Sequence, residues 1–427
     1  MTVRLLAILA FALAVQAGPA SAQLGGGGLP PVQLPSLPGV GRGVNDVART
    51  TTSVGEAVRD LPQTTVAQAR SLFQRHRDVL DRDPQGFPIV RSEVLAIAPS
   101  SAALRAAQAA GFTVARTDPL EGVGDLVTLR APSGVSAAQA LAQLQRADPQ
   151  GLYDLDHIHL PSGPEARAPP LAPAPVSSGH GARIGLIDGG VGAHPSLTDA
   201  IAEQRAFSSP SIAPTAHATA IASLLAGRGG GVVGAAPDAQ IYVADIYGGQ
   251  ATGGSAAALA RALAWLASEN VPVINVSLVG PRNRIVETVV ARLVARGFLI
   301  VAAVGNDGPA APPLFPASYP GVVGVTGVDA HQRVLIEAAQ GPQVTFAALG
   351  MPVAASGRAV ARMRGTSYAS PIVAGLLVRR LSVPNPQEAA TALAALRGEA
   401  RDLGARGRDD AYGYGLVGAT FQLSNAH

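Results

Sequence analysis

Three polar side chains of the types that cooperate in nucleophilic catalysis occur at separate points after residue 180. Asp188 follows an apolar stretch, and His217 and Ser367 each open a helical stretch. A serine hydroxyl is a weak nucleophile until a base takes its proton, and a histidine serves as that base when a carboxylate fixes its tautomer. The pattern predicts attack by Ser367, with His217 as base and Asp188 as its orienting acid.

A side-chain amide completes the set. Asn306 follows the apolar stretch 299–304 and can donate a hydrogen bond to the oxyanion of a tetrahedral intermediate. The helix start at Ser367 adds backbone N–H groups and the positive end of a helix dipole. Taken singly, Asp188, His217 and Ser367 fit ordinary structural roles such as helix capping. Together with Asn306 they predict acyl transfer.

The composition excludes several other chemistries. All 32 basic residues are Arg, and the chain has no Cys. Without Cys there is no thiol nucleophile, disulfide or Cys-ligated zinc, and without Lys there is no Ser-Lys dyad, Schiff base or Walker A loop. A net charge of +3 without clustered basic residues argues against a nucleic-acid partner. The glycine clusters lack the spacing of a phosphate-binding loop.

The elements around these residues predict an α/β fold. Near-continuous apolar strands alternate with helical stretches after Gly179, which is typical of a doubly wound parallel sheet with helices on both faces. In such a sheet the reactive residues lie at the carboxyl ends of strands. The predicted strands are 183–187, 240–246, 271–278, 299–304 and 322–328, and the predicted helices are 217–226, 256–269 and 285–296.

The N-terminal part divides into short segments. Residues 1–22 have the features of a secretory signal cleaved after Ala22, which predicts a periplasmic or secreted protein with no membrane anchor once the signal is removed. A Gly/Pro-rich linker (23–43) and a helical segment (44–88, helix predicted at 64–80) follow. A small domain (89–160) with strand-helix-strand-strand-helix-strand order predicts a ferredoxin-like α+β fold, followed by a Pro/Ala-rich linker (161–178) and the α/β domain (179–427). His157 and His159 could ligate a metal but better fit a domain junction.

The chain resembles the subtilisin-like serine peptidases, the subtilases, over about residues 181–418. The family order Asp, His, Asn, Ser is present as Asp188, His217, Asn306 and Ser367. Further family-like motifs are His194-Pro195 with Leu197, Gly234-Ala235-Ala236-Pro237, Ile274–Leu278, Pro316–Pro320 and Gly365-Thr366-Ser367 with Ala369 and Pro371.

The resemblance implies an exported serine endopeptidase made as a self-processing zymogen. It implies polypeptide substrates, and an N-terminal propeptide domain that assists folding, inhibits, and is cut off between about residues 160 and 183. It places substrate as an extended strand on Ser277, Leu278, Val279 and Gly280, with the pocket for the residue before the cut near Ala303, Val304 and Gly305. The absence of an acid on these segments favours an apolar or broad preference. We expect a monomer.

Two positions depart from the family pattern. Gly189 stands where a Thr or Ser is usual, and Ala218 where a Gly is usual, so a catalytically inactive binding or regulatory member of the fold is the alternative. An esterase of the G-x-S-x-G type does not fit around Ser367. No cofactor is assigned. The loop 227–233 lacks the oxygen ligands that calcium prefers, so no metal site is predicted there, and calcium elsewhere stays open.

Overall fold

A computed structural model describes residues 64–162, 171–177 and 181–424, all within one compact unit that spans 61–427. The predicted signal, the Gly/Pro-rich linker and the helical segment up to residue 63 lie outside the described residues. Among the residues described, no helix is long and apolar enough to cross a bilayer.

The small domain is an antiparallel sheet backed by two helices. Its strand order is β3-β4-β2-β5, with β1 paired to the start of β2, which is the predicted split βαβ order plus one added strand. Ala107, Phe112 and Leu144 lie in the core between the sheet and the helices. The elements are α1 (Thr65–Arg75), β1 (Leu80–Arg82), β2 (Pro88–Ile97), α2 (Ser101–Ala109), β3 (Thr113–Leu120), β4 (Gly124–Arg130), α3 (Ala137–Ala147) and β5 (Leu152–His157).

The helix predicted over 64–80 ends earlier, at Arg75. Thr64 caps its start by accepting a hydrogen bond from the Ala67 N–H. Leu80 is fully buried and pairs with Val90 in the antiparallel β1–β2 ladder, so tertiary pairing overrides the helical spacing at the end of this segment.

The large domain is built on a seven-stranded parallel sheet. Its order is β16-β15-β14-β12-β7-β11-β9, and the predicted doubly wound α/β fold is confirmed. The sheet strands are β7 (Arg183–Asp188), β9 (Ile201–Ala206), β11 (Gln240–Asp245), β12 (Val273–Val276), β14 (Leu299–Ala303), β15 (Val323–Val328) and β16 (Val344–Leu349). Short strands outside it are β6 (Leu160–Pro161), β8 (Gly190–Val191), β10 (Pro214–Thr215), β13 (Leu278–Val279), β17 (Val353–Ser356) and β18 (Ala359–Arg362).

Helices cover both faces of this sheet. One core lies under α4, α7 and α8, and the other lies under α5 and α6 and continues into the sheet of the small domain through Leu95, Ile97 and Leu126. The helices are α4 (Ala216–Ala226), α5 (Ala256–Ser268), α6 (Arg284–Ala295), α7 (Ser370–Val378), α8 (Pro386–Glu399) and α9 (Ala419–Ser424). The small domain therefore packs on α5 and α6.

Candidate active site

Asp188 and His217 meet at the carboxyl end of β7, an inner strand of the sheet. The Asp188 Oδ2 atom lies 2.8 Å from His217 Nδ1, and both side chains are 2% exposed. The second carboxylate oxygen accepts a hydrogen bond from the Gly189 N–H at 2.7 Å. Asp188 is thus held by two donors, and it fixes the histidine ring from the Nδ1 side.

Gly189 has a packing reason in this chain. A Cβ built on Gly189 would lie 2.5 Å from Cγ2 and 2.8 Å from Oγ1 of Thr215. Thr215 caps α4 by accepting a hydrogen bond from the Ala218 N–H at 3.0 Å, so its side chain is fixed there. The Thr215 side chain fills the space that a serine or threonine at position 189 would need. Neither the Asp motif nor the His motif indicates this contact on its own.

Ser367 lies beside Asn306 and Ser277. It sits in a short 3-10 turn, Thr366–Tyr368, ahead of α7, and is fully buried. The Asn306 Oδ1 atom accepts the Thr366 N–H at 3.0 Å, which leaves the amide nitrogen to point into the cleft. Ser277 Oγ donates to the Ser367 carbonyl at 3.3 Å. The Tyr368 ring packs 5.5 Å from the His217 ring, which joins the serine turn to the histidine helix.

Burial raises the pKa of two residues next to this site, Tyr368 and Asp245. It raises the pKa of the Tyr368 phenol above its ordinary value, and the nearby Asp188 carboxylate adds to that effect. Burial also raises the pKa of Asp245, which pairs with Asp188 in the register of β11 and β7, although three backbone N–H groups partly offset the shift. Asp245 is bound by the N–H groups of Ala213, Tyr247 and Gly248 and so holds two loops.

The end of the small domain occupies the cleft in an extended conformation. Strand β6 pairs antiparallel with β13, with Pro161 opposite Leu278 and Leu160 opposite Val279. The Ser162 N–H donates to the Ser277 carbonyl at 3.3 Å. The Ser162 carbonyl accepts a hydrogen bond from Asn306 Nδ2, and its hydroxyl lies 2.5 Å from Ser367 Oγ.

The cleft continues past this strand to His159. The His159 N–H donates to the Gly254 carbonyl at 2.7 Å. The imidazole packs on Gly280, where an added Cβ would lie 2.5 Å from His159 Cδ2. The four predicted strand residues, Ser277 to Gly280, thus all contact or pair with residues 159–162. The place of the short run His159–Ser162 was not predicted from the sequence, because Pro161 and Ser162 were assigned to the Pro/Ala-rich linker.

The three residues predicted to form the pocket before the cut are all buried. Ala303 is inside β14, paired with Val325. Val304 is fully buried in the core under α5 and α6. Gly305 has φ +103° and precedes Asn306, and a Cβ there would lie 2.8 Å from Leu314 Cδ1. Leu314 was not singled out in the sequence.

Two carboxylates of β5 bind the starts of two helices in the large domain. Asp156 Oδ1 accepts the Ala257 N–H of α5 at 2.9 Å, and Asp154 Oδ2 accepts the Arg284 N–H of α6 at 2.7 Å. A helix N-terminus carries unsatisfied N–H groups and partial positive charge, so both contacts are favourable. Their spacing of two residues puts both on one face of β5.

The histidines considered as metal ligands have other surroundings. His157 Nε2 lies 3.3 Å from Asp83, and its Nδ1 lies 2.9 Å from the Asn283 amide at the junction with the large domain. His159 is fully buried in the cleft, and burial lowers the pKa of its imidazole to about 4. No group of three or more His, Asp or Glu side chains among the described residues is arranged to hold a metal ion. His194 binds Ser196 and the Ala359 carbonyl.

The family model described as the subtilase family matches residues 179–415. The chain belongs to the subtilase family. Its relatives include the minor extracellular protease Epr of Bacillus subtilis, 30% identical over 247 residues, a match that covers 56% of this chain and 38% of that protein. The thermostable alkaline protease of Halalkalibacterium halodurans is 32% identical over 204 residues, which is 46% of this chain and 56% of that protein.

The fold of this subtilase is also that of a solved relative. Fervidolysin from Fervidobacterium pennivorans, described as a keratinolytic enzyme related to subtilisin, superposes with a TM-score of 0.65 at 18% identity over 79% of this chain and 61% of that one. At 18% identity, this similarity supports a shared fold and nothing more. The chain spans 38% and 56% of the lengths of the two relatives compared above, so the whole lengths of those proteins are not represented here.

Proposed function

We propose that the protein is an exported serine endopeptidase made as a self-processing zymogen. One observation carries the proposal: residues 159–162 lie in the cleft as a substrate strand, with the Ser162 carbonyl on Asn306 and the Ser162 side chain on Ser367. The Asn306 amide polarises the Ser162 carbonyl, and the Ser367 hydroxyl lies beside the same residue. The bond that would be cut is Ser162–Gly163, inside the interval expected from the sequence.

The proposed chemistry assigns one role to each group. Ser367 Oγ attacks the Ser162 carbonyl carbon while His217 Nε2 takes the hydroxyl proton, and Asp188 stabilises the imidazolium through Nδ1. The carbonyl oxygen becomes an oxyanion that Asn306 Nδ2 and the Ser367 N–H bind. Collapse breaks the C–N bond, and the proton passes from His217 to the Gly163 nitrogen. Water then attacks the acyl-enzyme by the same route and frees the Ser162 carboxylate and Ser367.

The N-terminal domain would act as chaperone and inhibitor of the large domain. Its Asp156 and Asp154 carboxylates accept hydrogen bonds from N–H groups at the starts of α5 and α6. Its last strand, which would be cut, fills the cleft. After the cut, the same contacts keep the domain bound until it dissociates or is degraded. The signal at 1–22, together with a relative that is named an extracellular protease, supports export.

Two measurements test the proposal. A fluorophosphonate probe should label the processed wild-type protein at Ser367, and Ser367→Ala should take up no label. The purified Ser367→Ala zymogen should keep its full length, whereas the wild type should give a new N-terminus at Gly163. Equal labelling of both proteins, or processing of Ser367→Ala to the same size without added protease, would contradict it. The inactive alternative loses support at Gly189, because Thr215 fills the space beside it.

A further inference from the structure

The residue before the proposed cut has a small side chain. Ser162 is fixed in that place by its N–H on the Ser277 carbonyl and its carbonyl on Asn306. Its hydroxyl also lies within the site, 3.3 Å from the Ser277 carbonyl and 2.5 Å from Ser367 Oγ. A serine therefore fits the place with its polar atoms satisfied.

The wall next to Asn306 is crowded by two aliphatic side chains. A Cβ on Gly305 would lie 2.8 Å from Leu314 Cδ1 and 3.6 Å from Val279 Cγ1, so both side chains cover this backbone. Leu314 is 5% exposed. Two backbone hydrogen bonds between Gly280 and Phe315, at 2.9 and 3.0 Å, tie the Leu314 segment to the strand that binds the substrate.

The Leu314 side chain therefore sits between the two segments that flank Ser162. One is the substrate-binding strand with Val279, and the other is the turn of Gly305 and Asn306. A large side chain from a substrate needs the room that this isobutyl group fills. Because close-packed interiors leave few voids, a large side chain would have to displace a buried leucine held by its backbone.

We infer that Leu314 is a specificity-determining residue that closes the pocket for the residue before the cut and restricts it to Gly, Ala or Ser. The inference rests on the proposed endopeptidase function and names its substrate class. It narrows the apolar or broad preference expected from the sequence, since that expectation considered only the absence of a charged group and not the volume left by Leu314.

Peptide anilides that share His-Leu-Pro ahead of a variable last residue test the inference on the processed enzyme. The wild type should have a kcat/KM for Ala and Ser at least tenfold above that for Phe and Leu. Leu314→Gly should raise the Phe-to-Ala ratio of kcat/KM at least tenfold over the wild type, and Leu314→Ala should raise it by a smaller factor. Leu381→Ala removes another buried leucine, beyond α7, and should leave the Phe-to-Ala ratio unchanged.

The outcomes separate the pocket from the activity itself. Full probe labelling at Ser367 together with Phe hydrolysed as well as Ala by the wild type would overturn the role of Leu314 and leave the endopeptidase standing. Absence of both labelling and hydrolysis would overturn the proposed function and the pocket with it. The wild-type comparison needs no variant, so a folding defect in Leu314→Gly does not protect the inference.

Discussion

The side chain of Thr215 lies in the space that a side chain on Gly189 would occupy. A Cβ on Gly189 would lie 2.5 Å from Thr215 Cγ2. A hydroxyl-bearing residue after the orienting acid is therefore excluded by a helix cap that belongs to the adjacent motif. The contact links the two departures from the family pattern, because Thr215 binds the N–H of Ala218.

This contact predicts a compensating pair of substitutions. Gly189→Ser should lower kcat/KM at least tenfold, because the new side chain displaces Thr215 or Asp188. Thr215→Ala alone should cost about 1 kcal/mol in the free energy of unfolding, through loss of the cap. The double variant should recover most of the activity lost in Gly189→Ser. A double-mutant cycle in kcat/KM measures the coupling, and additive losses would show that the two sites do not compete for space.

Substitutions at Asn306 should separate its donor from its acceptor. Asn306→Asp keeps an oxygen for the Thr366 N–H but removes the donor to the Ser162 carbonyl. Asn306→Ala removes both. Each should lower kcat about 10²–10³-fold with little change in KM, a magnitude documented on a subtilisin that lost one oxyanion donor. A larger loss of thermal stability in Asn306→Ala than in Asn306→Asp is expected. A large rise in KM with kcat unchanged would argue against the oxyanion role.

Two buried groups of the N-terminal domain should give the free energy of unfolding of the full chain opposite pH dependences. Burial lowers the pKa of His159 from 6.5 to about 4, so its contribution to stability is complete above pH 6.5 and is lost as pH falls towards 4. Burial raises the pKa of Asp156 from 3.8 to about 7, so the stability it provides declines as pH rises from about 4 to 7. Between pH 4.5 and 6, folding removes a proton from His159 and adds a proton to Asp156. The two effects on the pH dependence of the free energy of unfolding therefore cancel.

Replacing either residue should expose the pH dependence that the other gives to the free energy of unfolding. In the Ser367→Ala background, His159→Phe should make the free energy of unfolding fall with pH relative to the parent, and Asp156→Asn should make it rise. Each slope should approach about 1.4 kcal/mol per pH unit between pH 4.5 and 6. Urea titrations at four pH values measure both slopes. Parallel pH profiles for the parent and the two variants would contradict this assignment.

Helix α1 should help to retain strand β6 in the cleft. Ala69 is 2% exposed and packs in one cluster with Ile158 and Leu160, and the Thr65 N–H donates to Asp307, next to Asn306, at 2.7 Å. Ala69→Glu buries an unpaired charge in this cluster, so it should shorten the delay between processing and full activity several-fold. Ala67→Glu places the same charge on the exposed side of α1 and serves as the control. Equal delays in both variants would show that α1 does not hold the strand.

The sequence predicted the large domain well because its strands are buried on both faces. Strands β7, β11, β14 and β15 read as continuous apolar runs, and their predicted ends lie within a residue of the observed ones. Strands β9 and β16 were not predicted. At the edge of the sheet, β9 carries Glu203 and Arg205, and these polar residues interrupt the apolar pattern. The acid, base, amide and serine could be named because each follows or opens a regular element.

The contacts between the two domains could not be predicted in the same way. Asp154 and Asp156 are ordinary acids in the sequence, and only the packing of β5 against α5 and α6 places them at helix starts. The role of Leu314 depends on a turn that brings Phe315 to Gly280. Such long-range contacts leave no periodic signal along the chain.

The segment 171–177 stays fixed to the large domain through backbone hydrogen bonds from Ala174 to Val191, from Ala193 to Ala172 and from Ser177 to Ile201. The proposed cut at Ser162–Gly163 would therefore leave residues 171–177 anchored and would remove only the covalent tether of the N-terminal domain. A tethered strand faces the cleft at a local concentration of the order of millimolar, whereas a released domain is present only at its bulk concentration. Dilution into a large volume would then favour dissociation of the released domain and activate the enzyme. A high concentration of copies in a small compartment would keep the domain bound and the enzyme inhibited.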